Sequence, residues 1–132
     1  MENIVEIIRQ KREAGNTVFV CGNGGSASTA EHFTNDLFSK GVRAICLNSN
    51  TSIMTMIAND YGYEYVFQKQ LEVYADPGDL LVIFSVSRKS ANIVKASLVG
   101  VETVIIFGTE NETYQEAENR HLAWAHGTCE ML

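Results

Sequence analysis

Apolar residues fall along this chain in two alternating rhythms. Residues 2–13 place Ile4, Val5, Ile7 and Ile8 at helical spacing, and "AGN" at 14–16 breaks the pattern. "TVFVC" at 17–21 is β-branched and continuously apolar, which predicts a strand buried on both faces. "GNGGS" follows as a tight turn, and a helical pattern runs from Ser26 to about Ser39. "VRAICL" (42–47) predicts a second strand, "NSNTS" a turn with a helix cap, and "IMTMIAND" (53–60) a short helix broken by "YGY". Another helix is expected over 64–75, stopped by "DPGD". "LLVIFSV" (80–86) predicts a third strand, "SRKS" a polar turn, and "ANIVKASLVG" a helix ended by Gly100. "TVIIFG" (103–108) predicts a fourth strand and 112–132 a last helix.

Strands alternating with helices, each strand apolar throughout, predict an α/β fold whose parallel sheet is covered on both faces. In such sheets ligands bind beyond the carboxyl ends of the strands. Two polar turns are placed there, "GNGGS" after the first strand and "SVSRKS" after the third.

The bulk numbers narrow the classes. A chain of 132 residues with 45% hydrophobic and 20% charged residues suits a single domain over 1–132. A net charge of -6 without a basic tract argues against a nucleic-acid partner. No apolar run nears the roughly 20 residues of a membrane span, so no membrane association is expected. The amphipathic start, "MENIVEIIRQKREAGN", does not read as a signal peptide. Cys21, Cys46 and Cys129 lie in apolar segments without metal-motif spacing, which predicts buried reduced thiols in a cytoplasmic protein.

Gly24 and Gly25 open a helix, whose free amides and positive dipole end favour an anion. Ser26 and Ser28 add hydroxyl donors, and Ser85, Ser87 and Ser90 cluster in the second turn. Two such turns form a candidate phosphate cradle; the plainer reading is two ordinary turns with serine caps. "GNGGSA" also fits the loose dinucleotide pattern, but the second strand ends "CLNSN", without the carboxylate that would hold a ribose. His32 and Asp36 share a helix face and can hold a metal, pass protons, or form an ordinary surface pair. Glu118 and His121 read most simply as solvated positions. His126, within "LAWAHGTCEML", has a more apolar setting, where a core histidine rivals a functional one.

Taken together, the stretches "CGNGGSAS" with "EHF", "TSIMTMIANDYGYEYVFQKQLE", "PGDLLVIFSVS", "SANIVKA" and "HLAWAHGTCEML" resemble the sugar isomerase (SIS) domain. The resemblance is nearest to the phosphoheptose isomerases. It implies a three-layer, doubly wound parallel sheet of about four strands. It also implies interconversion of sedoheptulose 7-phosphate and D-glycero-D-manno-heptose 7-phosphate through an enediol, at the start of bacterial heptose synthesis for lipopolysaccharide. A homotetramer and a zinc ion are implied as well. Carried over residue by residue, it makes Asn23, Gly24, Gly25, Ser26, Asn59 and Asp60 substrate contacts. Ser85, Val86, Ser87 and Ser90 become the phosphate loop. His32, Asp36, Glu118 and His126 become metal ligands, with Asp36 and His126 catalytic and Glu118 also near substrate.

Several positions depart from the family pattern. Asp36 replaces glutamate, so its oxygens retreat by over about 1 Å. Val86 removes a hydroxyl, and Arg88 and Lys89 replace glycine and asparagine. If the turn needs positive φ at the glycine position, Arg88 is strained; if not, the two cations strengthen phosphate binding. Glu118 replaces glutamine, a role Gln115 takes under a local shift. Only about a dozen residues join "VIIFG" to the last helix, where the family has a further helix and strand, so a lost strand is expected. These departures keep two other functions in view: a non-catalytic SIS module that makes protein contacts, as in a regulator that associates with the replication initiator, and an isomerase for another sugar phosphate.

Overall fold

The computed structural model describes residues 2–132. Four parallel strands form one sheet: β1 (Thr17–Gly22), β2 (Arg43–Cys46), β3 (Leu80–Ser85) and β4 (Glu102–Phe107), in the order β2-β1-β3-β4. The helices are α1 (Glu2–Ala14), α2 (Gly25–Ser39), α3 (Thr51–Asp60), α4 (Gln68–Tyr74), α5 (Ala91–Ser97) and α6 (Tyr114–Glu130). One face of the sheet packs Val18, Val20, Val82 and Phe84 against α1, α2 and α6 through Ile8, Phe33, Leu37 and Ala125. The other packs Phe19, Leu81 and Ile83 against α3, α4 and α5 through Ile57, Leu71 and Ile93. Full burial of each such side chain contributes about 1.5–3 kcal/mol, so the three layers are held from both sides.

The strand order reverses between β1 and β3, whose register pairs Val20 with Val82 and Gly22 with Phe84. The two polar turns therefore open side by side at the topological switch point, the crevice where such sheets bind ligands.

The structure differs from the sequence pattern in several places. Only β1 and β3 are buried at every position. β2 alternates between exposed and half-buried, and β4 is exposed at both ends, because both are edges of a four-stranded sheet. The helix expected over 64–75 splits into a 3-10 turn, Tyr63–Tyr65, and α4, after Gly62 turns the chain at φ 117°. The helix expected to run to Gly100 ends at Ser97. The last helix starts at Tyr114, where Thr113 and Glu116 form a capping box: each side chain accepts the other's backbone N–H, at 3.1 and 2.9 Å.

His121 departs from the solvated position expected of it, and the core reading that rivalled a functional one for His126 is not met. His121 is buried with neither ring nitrogen bonded, and His126 is exposed. Ala117, His121, Ala125 and Thr128 make one buried stripe, and His126 lies off it. The cysteines are free; Cys21 and Cys129 are buried as expected, but Cys46 is half-buried at the β2 edge. Burial pushes the Cys21 thiol up, and pushes Cys129 up to about 11 with the Asp36 carboxylate adding to it. Among the described residues, no helix is long and apolar enough to cross a membrane.

Candidate functional site

The β1–α2 turn is built by close approach. A Cβ on Gly22 would meet the Ser26 backbone oxygen at 2.6 Å, so glycine lets α2 start against the end of β1. Asn48, beyond β2, fixes that end: Gly22 N–H donates to Asn48 Oδ1 at 3.1 Å and Asn48 Nδ2 donates to the Gly22 carbonyl at 2.7 Å. Gly24 caps α2 at φ 56° and offers no side chain to the first-turn amides. The Ser26 and Ala27 N–H groups donate to the Asn23 and Gly24 carbonyls at 2.9 and 3.0 Å, and the helix dipole leaves a positive end at the crevice.

Asn23 is locked in place. Its side chain exchanges two hydrogen bonds with the buried Asn92 of α5, at 2.9 and 2.8 Å, and Tyr63 Oη donates to Asn23 Oδ1 at 3.0 Å. Asn48, Asn92 and Tyr63 are positioning residues that local sequence reading did not single out. Asn92 lies within "SANIVKA", but its partner is far along the chain and only the fold joins them.

The second turn presents its serines as donors. Ser85 Oγ accepts Arg88 N–H at 3.0 Å and Ser87 Oγ accepts Lys89 N–H at 3.3 Å, which leaves each hydroxyl proton free. Ser90 caps α5 without a side-chain bond. Asn23, Ser26, Ser85, Val86, Ser87, Ser90, Tyr114 and Glu118 line a cavity of about 80 Å³. That is far smaller than the roughly 300 Å³ or more of typical ligand sites, and is enough only for a small group.

Arg88 is strained. At φ 61° it is the one non-glycine residue with positive φ among those described, a conformation that costs roughly 1–2 kcal/mol for an L-residue. Its guanidinium lies over the Phe107 ring, 4.0 Å from the centroid.

One helical turn and more beyond Gly25, α2 carries His32 and Asp36 towards α6. Phe33, Phe84 and Trp124 form an aromatic wedge, with ring centroids 5.6–5.8 Å apart, that sets the spacing of the two helices. His32 Nε2 lies 2.8 Å from His126 Nε2 and 3.4 Å from Asp36 Oδ2, and all three residues offer ligand atoms within 4.8 Å of one another. Two imidazoles and a carboxylate suit a zinc ion that keeps an open position. Tetrahedral donors about 2.0–2.1 Å from zinc stand roughly 3.4 Å apart, which the His32–Asp36 separation already meets. The histidines would part by about half an ångström to do the same.

Glu118 does not join this group. Its carboxylate lies against Gly25, where a Cβ would overlap it, and it borders the serine-lined cavity. Gln115 is exposed, so Glu118 rather than Gln115 faces the α2 N-terminus. Asn59 and Asp60 are exposed on the last turn of α3, where Asn59 Nδ2 donates to Asp60 Oδ1 at 3.0 Å. Among the described residues they make no hydrogen bond to either polar turn.

Residues 1–104 match the SIS domain model. The phosphoheptose isomerase of Akkermansia muciniphila is 35% identical, with 100% of this chain and 83% of the relative covered. That of Clostridium acetobutylicum is 38% identical, with 100% and 80% covered. Both alignments run over 157 positions against 132 residues here, so about 25 positions of each relative have no counterpart in this chain. The structure of a phosphoheptose isomerase from Neisseria gonorrhoeae superposes with a TM-score of 0.92 at 27% identity, covering 96% of this chain and 81% of that one. One from Francisella tularensis gives the same TM-score at 22% identity, covering 98% and 83%, and shares the fold.

Proposed function

This chain belongs to the SIS-domain family, among the phosphoheptose isomerases, and from that premise we propose that it interconverts sedoheptulose 7-phosphate and D-glycero-D-manno-heptose 7-phosphate. The observation that carries the reading is the double use of α2. Its first residues open onto the serine-lined cavity, and its later turns hold His32 and Asp36 against His126.

In this reading the phosphate rests among Ser85, Ser87 and Ser90, whose free hydroxyl protons face it. Asn23, held by Asn92, directs its amide at the sugar hydroxyls, and Gly24 and Gly25 let the chain approach. Asp36 and His126 reach one point between α2 and α6. One takes the proton from the carbon beside the carbonyl and the other returns it to the neighbouring carbon, by way of an enediol. His32 orients His126 through the contact between their Nε2 atoms. His32, Asp36 and His126 could instead hold a zinc ion, whose ligation would replace the contact between the two Nε2 atoms, and the ion would supply a Lewis acid for the carbonyl. Asn59 and Asp60 are exposed and available to a substrate site completed by a second copy, in keeping with the homotetramer the family resemblance implies. A reducing, cytoplasmic setting fits the three free thiols, and a place in heptose synthesis for lipopolysaccharide is what the family resemblance implies.

Turnover in deuterated water tests the chemistry. Solvent deuterium appearing at the reacting carbon of the product supports enediol proton transfer. Complete retention of the substrate hydrogen during turnover refutes it.

A further inference from the structure

The serine-lined cavity has no cation in its wall, and its one charged side chain is the Glu118 carboxylate. A phosphate dianion entering there meets hydroxyl donors but no balancing charge, which makes its desolvation costly. Two cations stand at the rim. Arg88 N–H donates to Ser85 Oγ at 3.0 Å and Lys89 N–H donates to Ser87 Oγ at 3.3 Å, and both serines line the cavity. Arg88 and Lys89 are exposed and, among the described residues, enter no ion pair.

Arg88 is the better placed of the two. Its Cα lies within about 4.5 Å of Ser85 Oγ, because one N–Cα bond of about 1.46 Å follows that hydrogen bond. An extended arginine side chain is longer than this, so rotation of the side chain alone brings the guanidinium to an oxygen bound by Ser85. Here the guanidinium rests on the Phe107 ring, which is itself 41% exposed. An exposed contact of this kind returns less than the positive φ of Arg88 costs. Arg88 is therefore a net cost to stability, and strain held without a packing return points to use of the side chain by a ligand.

Resting on the sugar-phosphate reading above, we propose that Arg88 is the counter-cation of the substrate's phosphate. Its guanidinium leaves the Phe107 ring and pairs with the phosphate held by Ser85 and Ser87. The planar fork binds two phosphate oxygens at once, which the point charge of Lys89 does not. The added charge also offsets repulsion from Glu118 across a cavity of about 80 Å³.

The test is calorimetric titration of the purified protein and of Arg88→Gln, Arg88→Lys, Arg88→Gly and Lys89→Gln with glucitol 6-phosphate, which cannot isomerise. Circular dichroism checks that each protein is folded, and Arg88→Gly decides if Arg88→Gln does not fold. Arg88→Gln and Arg88→Gly are each expected to bind about tenfold more weakly than the native protein, the size of a lost charge-assisted hydrogen bond. Arg88→Lys should recover part of the loss, since it keeps the charge and gives up the fork. Lys89→Gln should lose less than Arg88→Gln. Native-like binding by Arg88→Gln or by Arg88→Gly overturns the inference. So does an equal loss in Lys89→Gln, which would assign the effect to net charge. If the folded native protein does not bind glucitol 6-phosphate, the sugar-phosphate reading fails and this inference falls with it.

Discussion

The Nε2 atoms of His32 and His126, on different helices and 94 residues apart in sequence, face each other at 2.8 Å. One proton at most lies between them, so one ring donates and the other accepts. Removing His126 leaves His32 without its partner at the point where the substrate carbon would sit. His126→Ala is expected to lower kcat by about 10²–10⁴, the range of a lost general acid or base. Because His126 is exposed, the melting temperature should hardly move. A large loss of melting temperature alongside kcat would show a structural role instead.

Asp36 stops short of His32. Its Oδ2 lies 3.4 Å from Nε2, against about 2.7–2.9 Å for a charge-assisted hydrogen bond. Asp36→Glu restores the glutamate of the family pattern and carries the carboxylate over about 1 Å further towards the point between α2 and α6. The variant is expected to raise kcat severalfold, measured at saturating substrate. A fall in kcat would mean that the surrounding site is matched to the shorter side chain.

Asn92 is buried and spends its amide on Asn23. Asn92→Ala leaves Asn23 with Tyr63 Oη as its one side-chain partner and the Asn23 amide N–H without an acceptor, and is expected to cost about 1–3 kcal/mol, read from denaturant melts. It should also raise KM, because Asn23 loses its orientation. Tyr63→Phe removes only one exposed hydroxyl from the same amide, so its effect on both readouts should be smaller.

His121 predicts a pH dependence of stability. Burial holds it below its usual value of 6.5 and the nearby Arg120 adds to this; the Phe107 carbonyl, Glu112 and Glu118 oppose it only in part. The unfolded chain therefore binds this proton more readily than the folded one. The stability linked to His121 is complete above about pH 6.5 and declines as pH falls below it. His121→Leu should melt at an equal or higher temperature and show a shallower loss between pH 7 and 5. An unchanged slope in the variant would assign the acid sensitivity to other groups.

Arg88 allows its strain to be separated from its stacking. Arg88→Ala keeps φ near 61° and loses the contact with Phe107; Arg88→Gly loses the contact and the strain. The glycine variant should be more stable than the alanine variant by about 1 kcal/mol. Equal stabilities would show that the loop relaxes when arginine is removed.

How far the sequence disclosed all this depended on how local each signal was. The buried runs around Val18 and Val82 and the Gly24 turn are short-range patterns, and they led directly to the parallel sheet and its crevice. His32 and Asp36 were legible because four residues make one helical turn. Asn92, Asn48 and Tyr63 were not, because their partners, Asn23 and Gly22, are brought to them only by the fold. The solvated reading of His121 fails, and the core reading that rivals a functional His126 fails with it, because both follow the apolar character of the segment rather than position around the helix. The stripe of Ala117, His121, Ala125 and Thr128 carried the better signal, since spacing around the helix decides which side faces the core. Arg88 was legible as a condition, strained if the loop needs positive φ, and the structure supplies the angle.

The central claim is that this shortened chain isomerises a heptose phosphate with His126. The most direct measurement is turnover of sedoheptulose 7-phosphate by the purified protein, with and without added zinc, beside His126→Ala. The account predicts product from the native protein and a loss of about 10²–10⁴ in the variant. No product from folded native protein under either condition would contradict it.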